Sequence, residues 1–291
     1  MRFILPLFAV LLFSNALSAQ EKKRWSVVFY DNENISEEGF VQNKQKTGKW
    51  KYYDRAGRLN RTAHYKNDAL NGWELFYLAD ADTLRITWYR NGQRDSLYKE
   101  FDVDGRLIVS GNYKNDKREG TWNYWKEIPA TGQTFMWAVP TFTVNLSSGQ
   151  KSKPAPKYVT PGRHIKTETY KADALDGVYA EYDLVTGTQM IYGNYTAGKK
   201  NGAFVETEKD KQSFFERTYR NDTLVKEAEL ENYYNKRKKR EYELKAGVKN
   251  GTYKEYYPNT DIEKLSGTYL DGKRHGVFTE YHTTGKARLS Y

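Results

Sequence analysis

The 291-residue chain contains no cysteine, so it has no disulfide framework, thiolate metal site, cysteine nucleophile or lipid-anchoring cysteine. Its four histidines, His64, His164, His275 and His282, match no metal-ligand spacing. Asp31-Asn32-Glu33-Asn34 opens like a calcium loop, but Ser36 stands sixth where glycine is needed and Gln42 stands twelfth. No G-x-S-x-G elbow, P-loop or dinucleotide fingerprint occurs. The sequence therefore predicts no metal, no cofactor and no enzyme. Apolar residues make up only 38% and mean hydropathy is −0.89, too polar for a thick core at this length. Beyond the first twenty residues no apolar run approaches the roughly 20 residues that carry a helix across a bilayer.

The first twenty residues supply an address. Arg2 is followed by an apolar run from Phe3 to Phe13 and then by Ala16, Ser18 and Ala19. A positive start, a short apolar stretch and a small-residue exit describe a cleaved secretory signal over 1–19. The expected location is periplasmic or extracellular.

Aromatic rings and charge are plentiful: 25 Tyr, 13 Phe and 7 Trp give 15% aromatic content, and the net charge is +10. Disordered chains are poor in aromatics, so this composition points to an ordered structure. The rings are also periodic. Val41, Tyr65, Tyr89 and Tyr113 lie 24 residues apart, and after a step of 57 the phase resumes at Tyr170, Tyr195, Tyr219, Leu244 and Tyr269. Seven residues beyond these anchors stand Gly48, Gly72, Ser96, Gly120, Gly177, Gly202, Gly251 and Gly276, with Lys226 breaking the set. Two residues further come Trp50, Tyr98, Trp122, Tyr179, Phe204, Tyr253 and Phe278, with Glu74 in the second unit. Tyr53, Tyr77, Phe101, Trp125, Tyr182, Tyr256 and Tyr281 stand five residues after the glycine position.

Each unit reads as two short strands. Lys49 to Tyr53 is aromatic-rich, Asp54-Arg55-Ala56-Gly57 is a turn, Arg58 to Tyr65 is a second strand, and Asn67-Asp68 opens the next turn. Strands joined this tightly run antiparallel. The predicted fold is all-β: repeated antiparallel hairpins in an elongated, twisted, single-layer meander sheet interrupted by one long insertion. A lone unit buries too little to offset the cost of ordering its backbone, so stability has to come from stacking on neighbours. Aromatics two and five places after the glycine differ by an odd number, so either both faces carry rings or a bulge re-aims one. Nine units exceed the strand count at which open sheets curl or split, which predicts strong twist or a break into two sub-arrays.

The pattern Y-x-N-x-x-x-x-G-x-W-x-x-Y followed by an Asp/Gly turn resembles bacterial MORN-repeat variants over about 41–125 and 170–291. The resemblance implies a string of β-hairpins, a scaffolding or dimerising role, and no catalytic motif.

Two stretches depart from the repeat. Five of the seven prolines fall between Trp125 and Tyr170, around an apolar knot that includes Trp137. The domain reading is thus a signal peptide (1–19), an N-terminal array (20–125), a Pro-rich insertion (126–166) and a C-terminal array (167–291). The unit after Tyr219 has lost its glycine and rings, and carries Lys236-Arg237-Lys238-Lys239-Arg240. Five consecutive cations suit phosphates or acidic surfaces. Asp82-Thr83-Leu84, Asp95-Ser96-Leu97 and Asp222-Thr223-Leu224 look similar to O-glycosylation tripeptides of exported bacterial proteins.

The function this predicts is an exported, non-enzymatic β-repeat scaffold that mediates protein–protein interaction in the cell envelope. The alternative is a carbohydrate or envelope-binding module stacking sugars on Trp50, Trp73, Trp122, Trp125 and Trp137. Expected partners are an envelope protein, a glycan or anionic lipid surface met by the rings and the basic run, and a second copy paired through sheet edges. Nucleic acid is not expected.

Overall fold

A computed structural model describes residues 22–78, 82–128, 162–207, 213–232 and 237–291. The predicted signal peptide, Trp137, Lys236 and most of the insertion lie outside the described residues. Among the described residues there are 21 strands in a single open antiparallel meander, with no helix. Each strand pairs with its neighbours in sequence, so the order in space is the order in sequence.

One repeat shows why. Gln45–Tyr53 pairs with Leu59–Lys66 through Trp50 opposite Ala63 and Tyr52 opposite Arg61. The connecting turn closes on Asp54, whose carboxylate accepts the amides of Ala56 and Arg58 at 2.9 Å each. This is the local backbone capture that makes aspartate a turn residue. The next turn is only two residues long, with Asn67 and Asp68 at φ of 51° and 63°. Positive φ at both central residues is the two-residue geometry whose twist matches that of the flanking strands. Asp68 also ties this turn to the previous repeat: its amide donates to the Lys46 carbonyl at 3.1 Å and its carboxylate accepts the Lys46 amide at 2.7 Å. Asp116 and Asp222 make the same double contact with Arg94 and Lys200.

The repeated glycine sits in a bulge. Between Val41 opposite Lys46 and Glu38 opposite Lys51 one strand spends two extra residues, and Gly48 within that stretch has φ of 70°. An L side chain is strained there, so glycine is the natural occupant. Ser96 takes the same position at φ of 88°. The rings then alternate as an undistorted strand requires. The Tyr52 hydroxyl meets the Tyr65 hydroxyl at 2.7 Å on one face, while the Tyr53 hydroxyl donates to Glu38 at 2.6 Å on the other. Both faces carry aromatics.

Of the two outcomes expected for so long a sheet, the break into two sub-arrays does not occur. Lys117–Lys126 pairs directly with Arg163–Lys171, with Trp122 opposite Glu168 and Asn123 opposite Thr167. The insertion leaves and rejoins at adjacent strands, so it interrupts the chain and not the ladder. Its limits also tighten, because Lys126 and residues 163–166 belong to these strands.

The unit that carries Lys226 departs from the others in register. Without the bulge glycine only one extra residue is spent between Tyr219 opposite Leu224 and Arg217 opposite Glu227. A one-residue change in register exchanges the faces of everything that follows. Glu227, Glu229 and Glu231 therefore join the row of Arg217, Tyr242 and Arg240, and Ala228 leaves the row where other units place a ring.

Candidate functional site

The most buried rings are explained by a residue eleven positions earlier. Trp50 lies over Gly39, Trp122 over Gly111, Phe204 over Gly193 and Phe278 over Gly267, and a Cβ on any of these glycines would fall within 3.0 Å of the ring. The bulge tips the ring onto the neighbouring backbone, and the missing side chain makes the slot. The indole N–H of Trp50 donates to the Phe40 carbonyl at 3.0 Å, and that of Trp122 to the Asn112 carbonyl at 3.2 Å. Anchor tyrosines close the slots edge-on, with Tyr65 at 6.4 Å from Trp50 and Tyr113 at 5.0 Å from Trp122. Lys46 Nζ lies 4.2 Å from the Trp50 ring. Trp50 and Trp122 are 1% and 3% exposed. They have no face to offer a sugar, so their predicted binding role is corrected to a structural one.

Where the slot residue is not glycine, the occupant changes with it. Ala63 faces Glu74, a 4%-exposed carboxylate held by Arg61 at 2.6 Å. Glu74 stands on the ring row because Trp73, one place earlier, points to the opposite face. There Trp73 is 38% exposed and packs edge-to-face on Trp88 at 4.7 Å.

Trp125 is half-buried at the root of the insertion. Its ring lies 5.6 Å from that of His164, which lies 4.8 Å from that of Tyr182. Beside this row is a shallow depression lined by Lys126, Ile165, Lys166, Glu181, Tyr182 and Leu184. Trp73 and Trp125 are thus the predicted tryptophans that reach the surface among the described residues, and they stand on different repeats.

The basic run is not a free cationic patch. Arg237 pairs with Asp261 at 3.1 Å, Lys238 with Glu241 at 2.7 Å, Lys239 with Glu231 at 2.5 Å and Arg240 with Glu231 at 2.6 Å. Each described cation of the run lies within ion-pair distance of a carboxylate, with Lys239 and Arg240 sharing Glu231.

Carboxylates among the rings follow one scheme. Glu168 accepts from the Tyr170 hydroxyl at 2.7 Å and from Lys166 at 2.6 Å. Burial raises its pKa, but bonds from Lys166, Tyr170 and Tyr124 outweigh this and hold it below the usual range. Glu241 is lowered in the same way by Lys238 and Tyr256 against burial. Glu38 is lowered chiefly by the Tyr53 hydrogen bond. The tyrosines move the other way: burial and a bond to Glu168 push Tyr124 up to about 12, and burial pushes Tyr65 to about 12. Both shifts lead away from neutral pH, which suits fixed structural pairs rather than proton transfer. Among the described residues no group of three His, Asp or Glu side chains is placed to hold a metal.

Sequence reasoning missed the slot glycines, although Gly39, Gly111, Gly193 and Gly267 each precede the anchor by two. The signal was present as a second periodic glycine. Compared with known families and proteins, the chain matches no family model and no curated sequence.

Proposed function

We propose that the chain is an exported, non-enzymatic scaffold of the MORN-repeat-variant kind, whose sheet presents its faces to a protein partner in the cell envelope. One observation carries this reading. The described chain spends its rings and charges on a single continuous layer, and its concavities are shallow depressions on the sheet surface. Small-molecule and catalytic sites are concave, enclosed and lined by convergent polar groups. A broad layer with half-exposed rings on both faces suits a macromolecular partner, for which aromatic anchors supply contact energy.

The glycan alternative loses support, because two of its four described tryptophans are sealed in slots. The test is photo-crosslinking from Trp73 and Trp125 in the native envelope. A stoichiometric protein adduct at either position is the expected result. Adducts to polysaccharide alone, or to nothing, would refute the reading.

A further inference from the structure

The two ends of the sheet are unlike each other and match. Strands of two kinds alternate along the array. One kind carries the bulge and slot ring, as in Gln45–Tyr53. The other carries the slot floor, as in Leu59–Lys66. The first strand, Arg24–Phe29, is of the ring kind, because Ser26 opposite Gly39 and Phe29 opposite Ile35 occupy the places of Trp50 and Tyr53. The last strand, Ala287–Ser290, is of the floor kind. Its backbone continues to Tyr291, which exchanges both hydrogen bonds with Phe278 at 2.8 and 2.9 Å, just where Ala63 stands opposite Trp50. Each internal floor strand is followed by a ring strand, as Leu59–Lys66 is by Ala69–Tyr77. The next strand due after Ser290 is therefore of the kind found at Arg24–Phe29.

Side-chain sizes at the ends are reversed in a compensating way. The four glycine slots set a large ring over a floor with no side chain. At the ends the floor residue is Tyr291, 54% exposed, and the ring position holds the small Ser26. Superposing the internal pairing of Leu59–Lys66 with Ala69–Tyr77 brings Tyr291 opposite Ser26, Ser290 opposite Val27 and Leu289 opposite Val28. Leu289 and Val28 are 54% and 44% exposed, and they would meet as an aliphatic cross-strand pair. Trp25 to Phe29 contains no charge, proline or glycine, the devices that blunt an edge strand.

We propose that a second copy of this chain adds head to tail, its Arg24–Phe29 strand pairing antiparallel with Ala287–Ser290 of the first, so that the repeat continues in phase from one molecule into the next. The contact is heterologous, so each addition leaves one free end of either kind and the row grows until it closes on itself. This goes beyond the scaffold reading and is separable from it, since the purified chain alone tests it.

The absence of native cysteine makes the test clean. The double variant Ser290→Cys/Val27→Cys, oxidised at rising concentration, should give a disulfide-linked ladder of dimers, trimers and longer species. Ser290→Cys/Val28→Cys, with the two thiols on opposite faces, should give none. Adding Leu289→Lys to the first variant should collapse the ladder to monomer while the strand spectrum in circular dichroism is retained. Three results would overturn the proposal: equal ladders from both double variants, a dimer from Val27→Cys alone (first strands pairing with each other), or monomer at every concentration in the folded in-register variant.

Discussion

Replacing Gly39 by alanine should damage the fold only as long as Trp50 is present. Gly39 is not in a left-handed conformation, so its cost is steric and not a matter of backbone freedom. The added methyl would lie within 3.0 Å of the indole, which is 1% exposed and fixed by its bond to the Phe40 carbonyl. Overpacking of this kind costs about 1–3 kcal/mol. Trp50→Ala empties the slot and should cost about 3–5 kcal/mol. In the double variant the methyl meets no ring, so the penalties should fall short of additivity by about 1–3 kcal/mol. The assay is urea unfolding followed by circular dichroism for all four corners of the cycle. Gly92→Ala serves as control, because its φ of 85° and open surroundings make its cost independent of any ring. Equal penalties for Gly39→Ala with and without Trp50 would refute the slot.

Other consequences follow from the same geometry. Ser96→Gly should raise stability by about 1 kcal/mol, because serine at φ of 88° occupies a bulge suited to glycine; a lower urea midpoint would contradict this. Asp116→Ala removes the carboxylate that receives the Arg94 amide at 2.9 Å and should cost about 0.5–1.5 kcal/mol. Hydrogen exchange should then quicken in that turn and leave remote repeats unchanged. Stability should be fully present above the unfolded carboxylate range near pH 4.5 and fall as pH drops through the depressed values of Glu38, Glu168 and Glu241. Glu168→Gln should flatten that acid limb in a melting-temperature series. Alkaline stability should decline from pH 10 upward, through the raised values of Tyr65 and Tyr124 near 12.

The strands and turns were legible because each repeat restates three local demands: a bulge glycine, an Asp/Gly turn and a two-residue turn at Asn67-Asp68. Such features act over a few residues and leave their mark in the sequence at a fixed offset. Burial was not legible in this way. Trp73 stands one place after its glycine where Trp50 stands two, so the chain itself puts them on opposite faces. That Trp50 then lies on a glycine floor is decided by the register with the neighbouring strand. The basic run read as free charge since its carboxylates, Glu231 and Asp261, lie on other strands. Continuity past the insertion was hidden for the same reason. Asn123 and Thr167 are direct partners 44 residues apart, and no local pattern announces such a pairing.

That continuity underlies the whole account, since a scaffold with one uninterrupted surface requires the ladder to pass the insertion. Amide hydrogen exchange on the intact chain tests it most directly. Amides of Thr121, Asn123, Thr167 and Thr169 should be protected to the same degree as those of Leu59–Lys66 and Ala69–Tyr77. Two separately protected blocks with fast exchange on both sides of the insertion would contradict it.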